Sequence, residues 1–189
     1  TPLINSEVDK VDISNLKIRS ENNPIKIIGI APFAAHKGKV YSTKQMEAVI
    51  KDLNNDFSIF LFGGGQKEEN SLDKLASKYT NVVNLANKYS LDQQMDIMSN
   101  LNIMVSMDSA NGHIAALLGV NVLTIWGLTH PYAGFSPYGQ KDTNNIMVKR
   151  SKFPKIPTSI YGNKTPVGYE NAINSITSKE VISRIRESI

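Results

Sequence analysis

Beyond Pro24 the chain alternates between short β-branched apolar runs and longer stretches whose apolar residues recur every three to four positions. The short runs are Ile25–Ala31 (IKIIGIA), Phe57–Phe62 (FSIFLF), Val82–Leu85, Ile103–Met107, Asn121–Trp126 (NVLTIW) and Asn145–Lys149. Runs this short and this apolar read as strands buried on both faces. The longer stretches read as helices. Ser42–Asn54 puts Met46, Val49, Ile50 and Leu53 on one face, and Glu68–Tyr79 does the same with Leu72, Leu75, Ala76 and Tyr79. Ser90–Asn100 turns Met95, Met98 and the following Leu101 inward, and Asn111–Leu118 stops at Gly119, a residue suited to the position after a helix end. Ser178–Ser188 closes the chain with Val181, Ile182, Ile185 and Ile189 on one side. Ser42 with Gln45, and Ser90 with Gln93, have the spacing of a capping box.

Strands that alternate with helices at this spacing pair in parallel through right-handed crossovers. The expected fold is α/β, a Rossmann-like three-layer sandwich around a mostly parallel sheet of about six strands. Residues 1–23 are polar and weakly periodic and read as a linker or inter-domain arm, leaving 24–189 as the folded domain. Residues 150–168 read as a Pro- and Lys-rich loop. No internal repeat or heptad pattern interrupts this organisation.

Composition narrows the chemistry. The chain has 189 residues, enough to bury a sizeable core without covalent staples. It has no cysteine, which removes disulfides, thiolate metal sites and a cysteine nucleophile. No apolar run reaches the roughly 18 residues of a membrane span, and no signal peptide is expected in the stretch from Thr1. It begins at Thr1 rather than methionine, as a piece cut from a longer protein would. The formal charge of +4 is unevenly spread: residues 1–140 hold 12 basic against 13 acidic side chains, and residues 141–189 hold nine against four. The excess fits either a solvated basic tail or a patch that steers an anionic ligand. Aromatic residues are not interleaved with the basic ones and no nucleic-acid reader motif occurs, so no nucleic-acid partner is expected.

In open α/β sheets ligands bind beyond the carboxyl ends of the strands. The loops there carry all three histidines, His36, His113 and His130. No HExxH occurs and the acidic residues lack metal-ligand spacing, so no metal site is expected. The stretch Asp108-Ser109-Ala110-Asn111-Gly112-His113 follows a strand and opens a helix. The free amides and positive dipole end of such a helix start hold phosphate, and His113 could add a donor. Equally, Ser109 could cap the helix while His113 packs beneath the loop. Lys37 and Lys39 of the first loop offer point charges for a phosphate, or simply face solvent. Gly63-Gly64-Gly65 lacks both dinucleotide and P-loop spacing; it suits close approach of a ligand, with Gln66, Glu68 or Glu69 available to ribose hydroxyls.

From Ile25 to Gln140 these loops resemble the C-terminal half of glycosyltransferase family 9, the heptosyltransferases of lipopolysaccharide core assembly. Three segments carry the resemblance: Ser106-Met107-Asp108-Ser109-Ala110-Asn111-Gly112-His113-Ile114-Ala115-Ala116-Leu117, Trp126-Gly127-Leu128-Thr129-His130-Pro131 with Gly134-Phe135, and Lys39-Val40-Tyr41-Ser42. The resemblance implies one half of a GT-B architecture, with the nucleotide diphosphate sugar, commonly ADP-heptose, on this domain. It implies that Ala34, Ala35 and Lys39 contact the diphosphate, that Gln66 stands at the ribose, and that Tyr89 or Ser90 lies near the base. Asp108 would bind sugar hydroxyls, Ser109, Ala110 and His113 the phosphates, and Thr129 and His130 would touch the sugar or the cleft.

Such enzymes invert the anomeric carbon without a metal or cofactor. They take their catalytic base, an Asp, from an N-terminal acceptor domain, so no catalytic residue is expected among these 189, and the isolated chain would bind donor without transferring sugar. The acceptor would be lipopolysaccharide core, reached through that other domain, and the setting the cytoplasm at the inner membrane face, with peripheral membrane contact. The chain departs from the family pattern at Ala110, at Ala34-Ala35 and at Gln66, where Gly, hydroxyl residues and Glu are usual. Two other functions stay open at this point: a sugar-nucleotide epimerase of the same architecture, and a non-catalytic module for a phospho-ligand.

Overall fold

The computed structural model describes residues 11–16 and 26–189. Most of the arm at 1–23, with Pro24 and Ile25, lies outside the described residues. Among the described residues six strands form one sheet: β1 (Ile27–Ala31), β2 (Ser58–Leu61), β3 (Val82–Asn84), β4 (Ile103–Met107), β5 (Val122–Trp126) and β6 (Asn145–Met147). Their order is β3-β2-β1-β4-β5-β6 and every pairing is parallel. This is the order of dinucleotide-binding folds, in which the chain leaves the central strand first to one side and then to the other. The expected α/β Rossmann-like sandwich is the observed one.

Among the described residues five α-helices cover the sheet: α1 (Thr43–Leu53), α2 (Gln66–Ala76), α3 (Leu91–Ser99), α4 (Ala110–Leu117) and α5 (Ser178–Ser188). Successive side chains of a strand point to opposite faces, and β1 shows the consequence. Ile28 and Ile30 join Val49, Ile50, Leu72 and Ile185 under α1, α2 and α5. Ile27 and Ala31 join Ile97, Met98 and Ala115 under α3 and α4, where Val11, Ile13 and Leu16 of the arm also pack. The arm is further tied down by the Val11 amide, which donates to Asp96 Oδ2 at 2.6 Å. Among the described residues no helix is long and apolar enough to cross a membrane.

The structure shifts several expected boundaries. Helix α2 begins at Gln66, directly after Gly65, and ends at Ala76, so Tyr79 only borders the core. In α3 the buried pair is Ile97 and Met98, whereas Met95 stays half-exposed. The Ser90–Gln93 box forms in both directions. At α1, Ser42 Oγ accepts from the Gln45 amide, but the Gln45 side chain turns away. Its Nε2 donates to the Asn174 and Ile176 carbonyls and its Oε1 accepts from the Ser178 amide, joining α1 to the start of α5. The segment 150–168 carries no strand or helix.

Candidate functional site

The strand order reverses between β1 and β4, and there the loops beyond the strand ends part. They leave a cleft of about 450 Å³, in the size range of nucleotide and cofactor sites. Of the residues singled out from sequence, Ala34, Ala35, Lys39, Glu68, Asp108, Ser109, Ala110 and His113 line it. Phe33, Asn111 and Phe135 complete the wall.

Lys39 and Asp108 form the charged centre, with Lys39 Nζ 3.0 Å from Asp108 Oδ2. Asp108 is 5 % exposed, and the same Oδ2 accepts from Thr129 Oγ1 at 2.9 Å. A carboxylate this deep is held by both a cation and a neutral donor, which is what a buried charge requires. Three loops meet to set the geometry. The Leu128 amide donates to the Gly38 carbonyl at 3.0 Å, and a Cβ on Gly127 would overlap that same carbonyl oxygen. The Thr158 amide donates to the Leu128 carbonyl at 3.0 Å. Gly162, at φ +69°, lies so close that a Cβ there would sit 2.8 Å from Thr129 Cγ2 and 3.0 Å from Lys39 Cγ. Lys39 is therefore clamped from behind and directed at Asp108, whereas Lys37 is exposed and stands outside the cleft.

Helix α4 begins at the cleft wall. Ser109 holds the N-cap position with extended backbone, yet its hydroxyl makes no cap bond. It sits 3.1 Å from Ser106 Oγ instead. The alternative in which Ser109 caps the helix is thereby set aside. The first-turn amides of α4 keep the anion-binding character of an uncapped helix start. Small residues at Ser109 and Ala110 leave the approach open, and half-buried His113 lies on the same wall.

The glycine loop supplies the opposite wall through Glu68, not Gln66. Glu68 is the third residue of α2 and reaches back to accept from the Gly64 amide at 2.9 Å, on the cleft side. Gln66 is exposed and bonds Glu69 and Asn70 along the outer face of the helix, because α2 starts two residues earlier than its apolar pattern indicates. Asn87, which sequence reading missed, ties this loop to the next. It adopts a left-handed backbone (φ +57°), accepts from the Gly65 amide at 3.1 Å and donates to Glu69 Oε2 at 2.9 Å. The lone signal for it was an Asn followed by Lys after a strand.

Tyr89, Ser90, Thr129 and His130 also fall outside the cleft lining. Ser90 is occupied as the cap of α3. Tyr89 borders a different hollow, of about 540 Å³, beside edge strand β3. That hollow is larger than the cleft, but its charges are spent on each other: Lys88 pairs with Asp73 at 3.1 Å, and Asn84 donates to Asp73 at 2.8 Å. Those two bonds, Asn84 first, hold the Asp73 carboxyl below its ordinary range. Thr129 acts from beneath, through Asp108. His130 accepts from the Tyr132 amide through Nδ1 at 3.3 Å, and burial, then Arg150, lowers its pKa. Among the described residues no three of His, Cys, Asp and Glu come together as a metal site would need.

Comparison with known proteins gives the site a context. No curated protein sequence matches the chain significantly. Among solved structures, the fold is similar to that of ADP-heptose lipopolysaccharide heptosyltransferase II from E. coli, with TM-score 0.69 and 20 % identity over 93 % of this chain and 49 % of that one. A glycosyl transferase family 9 protein from Veillonella parvula DSM 2008 gives TM-score 0.73 and 16 % identity over 93 % and 48 %. E. coli heptosyltransferase WaaC with ADP gives 0.65 and 20 % over 87 % and 45 %. The chain thus spans about half the length of each, and at such identities the likeness is one of fold. The family model for glycosyltransferase family 9 (heptosyltransferase) matches residues 6–163, most of the chain. On that match the chain belongs to glycosyltransferase family 9.

Proposed function

We infer that this chain is the donor-binding half of a GT-B glycosyltransferase that transfers a sugar from a nucleotide diphosphate sugar, ADP-heptose by the family's habit, to a lipopolysaccharide core acceptor. The observation that carries the reading is the Lys39–Asp108 pair lying at the β1/β4 crevice beside the uncapped start of α4. A diphosphate placed there meets a lysine, several free amides and His113. Its two ends are distinguished by the sheet order: Glu68 lies on the β2 side, where it can accept from ribose hydroxyls, and Phe135 follows β5, on the sugar side.

The chemistry follows from these groups. Asp108 is the ion-pair partner of Lys39. When diphosphate enters, Lys39 Nζ turns its donors toward the phosphate oxygens. Asp108 keeps the Thr129 hydroxyl bond and offers its other oxygen to a sugar hydroxyl. As the glycosidic C–O bond to the diphosphate breaks, negative charge grows on the departing phosphate oxygen. Lys39, turned from Asp108 to the phosphate, and the α4 amides stabilise that charge more in the transition state than in the ground state. The acceptor oxygen attacks the opposite face of the anomeric carbon, which inverts it. Its proton passes to a base supplied from outside these 189 residues, so the chain alone binds donor without transferring sugar.

Calorimetry on the chain with ADP, UDP and GDP tests the reading, each with and without EDTA. Binding of ADP, unaffected by chelator and weakened about tenfold or more by His113→Ala, is expected from the loss of a charge-assisted donor. Failure of all three nucleotides to bind would overturn it.

A further inference from the structure

Phe135 serves two surfaces. It lines the cleft, and its ring also meets Tyr161, with ring centres 6.1 Å apart and planes tilted by 53°. Tyr161 is 60 % exposed, although an aromatic side chain gains by burial. The turn that carries it is held firmly. Ser159 Oγ donates to Asn163 Oδ1 at 2.8 Å and accepts from the Asn163 amide at 3.1 Å. Thr158 Oγ1 donates to the Lys164 carbonyl at 2.6 Å. Gly162, the neighbour of Tyr161, packs directly against Lys39 and Thr129. The ring is thus presented at a set place beside the cleft mouth by the same contact that clamps the phosphate-binding lysine.

We propose that Tyr161 on Phe135 is a shelf on which an acceptor pyranose stacks, outside the nucleotide cleft and next to its sugar end. The proposal rests on the donor reading above, which decides where the sugar end lies. Three features of the surface fit a sugar ring. The exposed aromatic face matches the C–H face of a pyranose. Polar groups border it, with exposed Asn163 and Lys164 as partners for ring hydroxyls. The shelf also continues the cleft wall through Phe135, so a ring on Tyr161 stands next to a donor sugar and not on a remote surface.

Saturation-transfer NMR tests this on the chain with excess ADP, using methyl α-D-mannopyranoside as the probe. The expected signal concentrates on the C–H protons of one face, falls about fivefold or more in Tyr161→Ala and survives in Tyr161→Phe, while ADP affinity is the same in all three proteins. An equal sugar signal in Tyr161→Ala would overturn the proposal, as would a parallel fall in ADP affinity, which would make Tyr161 a prop of the cleft. If ADP fails to bind but the sugar signal still depends on Tyr161, the donor reading falls and the shelf stands.

Discussion

At the residue scale the site turns on Asp108. One of its oxygens accepts from both Lys39 and Thr129 in a pocket closed behind by Gly162. Removing the cation leaves a buried carboxylate with a single neutral donor. Lys39→Ala is therefore expected to cost about 3 kcal/mol of stability, read from urea unfolding, and the double variant Lys39→Met with Asp108→Asn to recover most of it. If Lys39→Ala were as stable as the parent, the pair would not be the tightly desolvated one described. Lys39, Asp108 and the α4 start were legible in the sequence because their residue types stand directly at strand ends, where local pattern alone places them. Glu68 was not separable from Gln66, because the choice depends on where α2 begins after three glycines, and apolar spacing does not set that. Phe135 reaches the cleft only because the loop after β5 folds back over it, a contact between segments far apart in the chain.

At the element scale the apolar period located every strand and α-helix of the described residues to within a few residues, though none of the short 3-10 turns, and the caps show where such reading ends. Ser90 and Gln93 form the box their spacing announces. Gln45 has the same spacing from Ser42 but finds stronger partners in the segment before α5, 129 residues away. The expected consequence is a difference between two substitutions that look alike in sequence. Gln93→Ala removes one cap bond and costs about 0.5 kcal/mol. Gln45→Ala removes three bonds at a helix junction, leaving the Asn174 carbonyl and the Ser178 amide without it while the Ile176 carbonyl keeps the Tyr41 hydroxyl, and costs about 2 kcal/mol or more. Thermal melts of the two variants compare them directly, and equal shifts would contradict the assigned bonds.

At the scale of the whole molecule, the alternation of strands and helices announced a parallel sheet but not its order, which depends on how crossovers choose sides. The order β3-β2-β1-β4-β5-β6 is what makes the first and fourth loops neighbours and so brings Lys39 to Asp108 across 69 residues. Part of the segment 150–168 lies against the β5 loop, through Thr158 and Gly162, whereas Lys149 and Lys152 of the basic last quarter line a separate hollow with Glu180. The central claim is that a nucleotide diphosphate sits at the β1/β4 crevice on the start of α4, and amide chemical shifts during titration with ADP test it most directly. The account expects the largest changes at Gly38, Lys39 and Ser109 through His113, with smaller ones at Gly64 and Glu68. Changes centred on Asp73, Lys88 and Tyr89 at the β3 edge, or none at all, would contradict it.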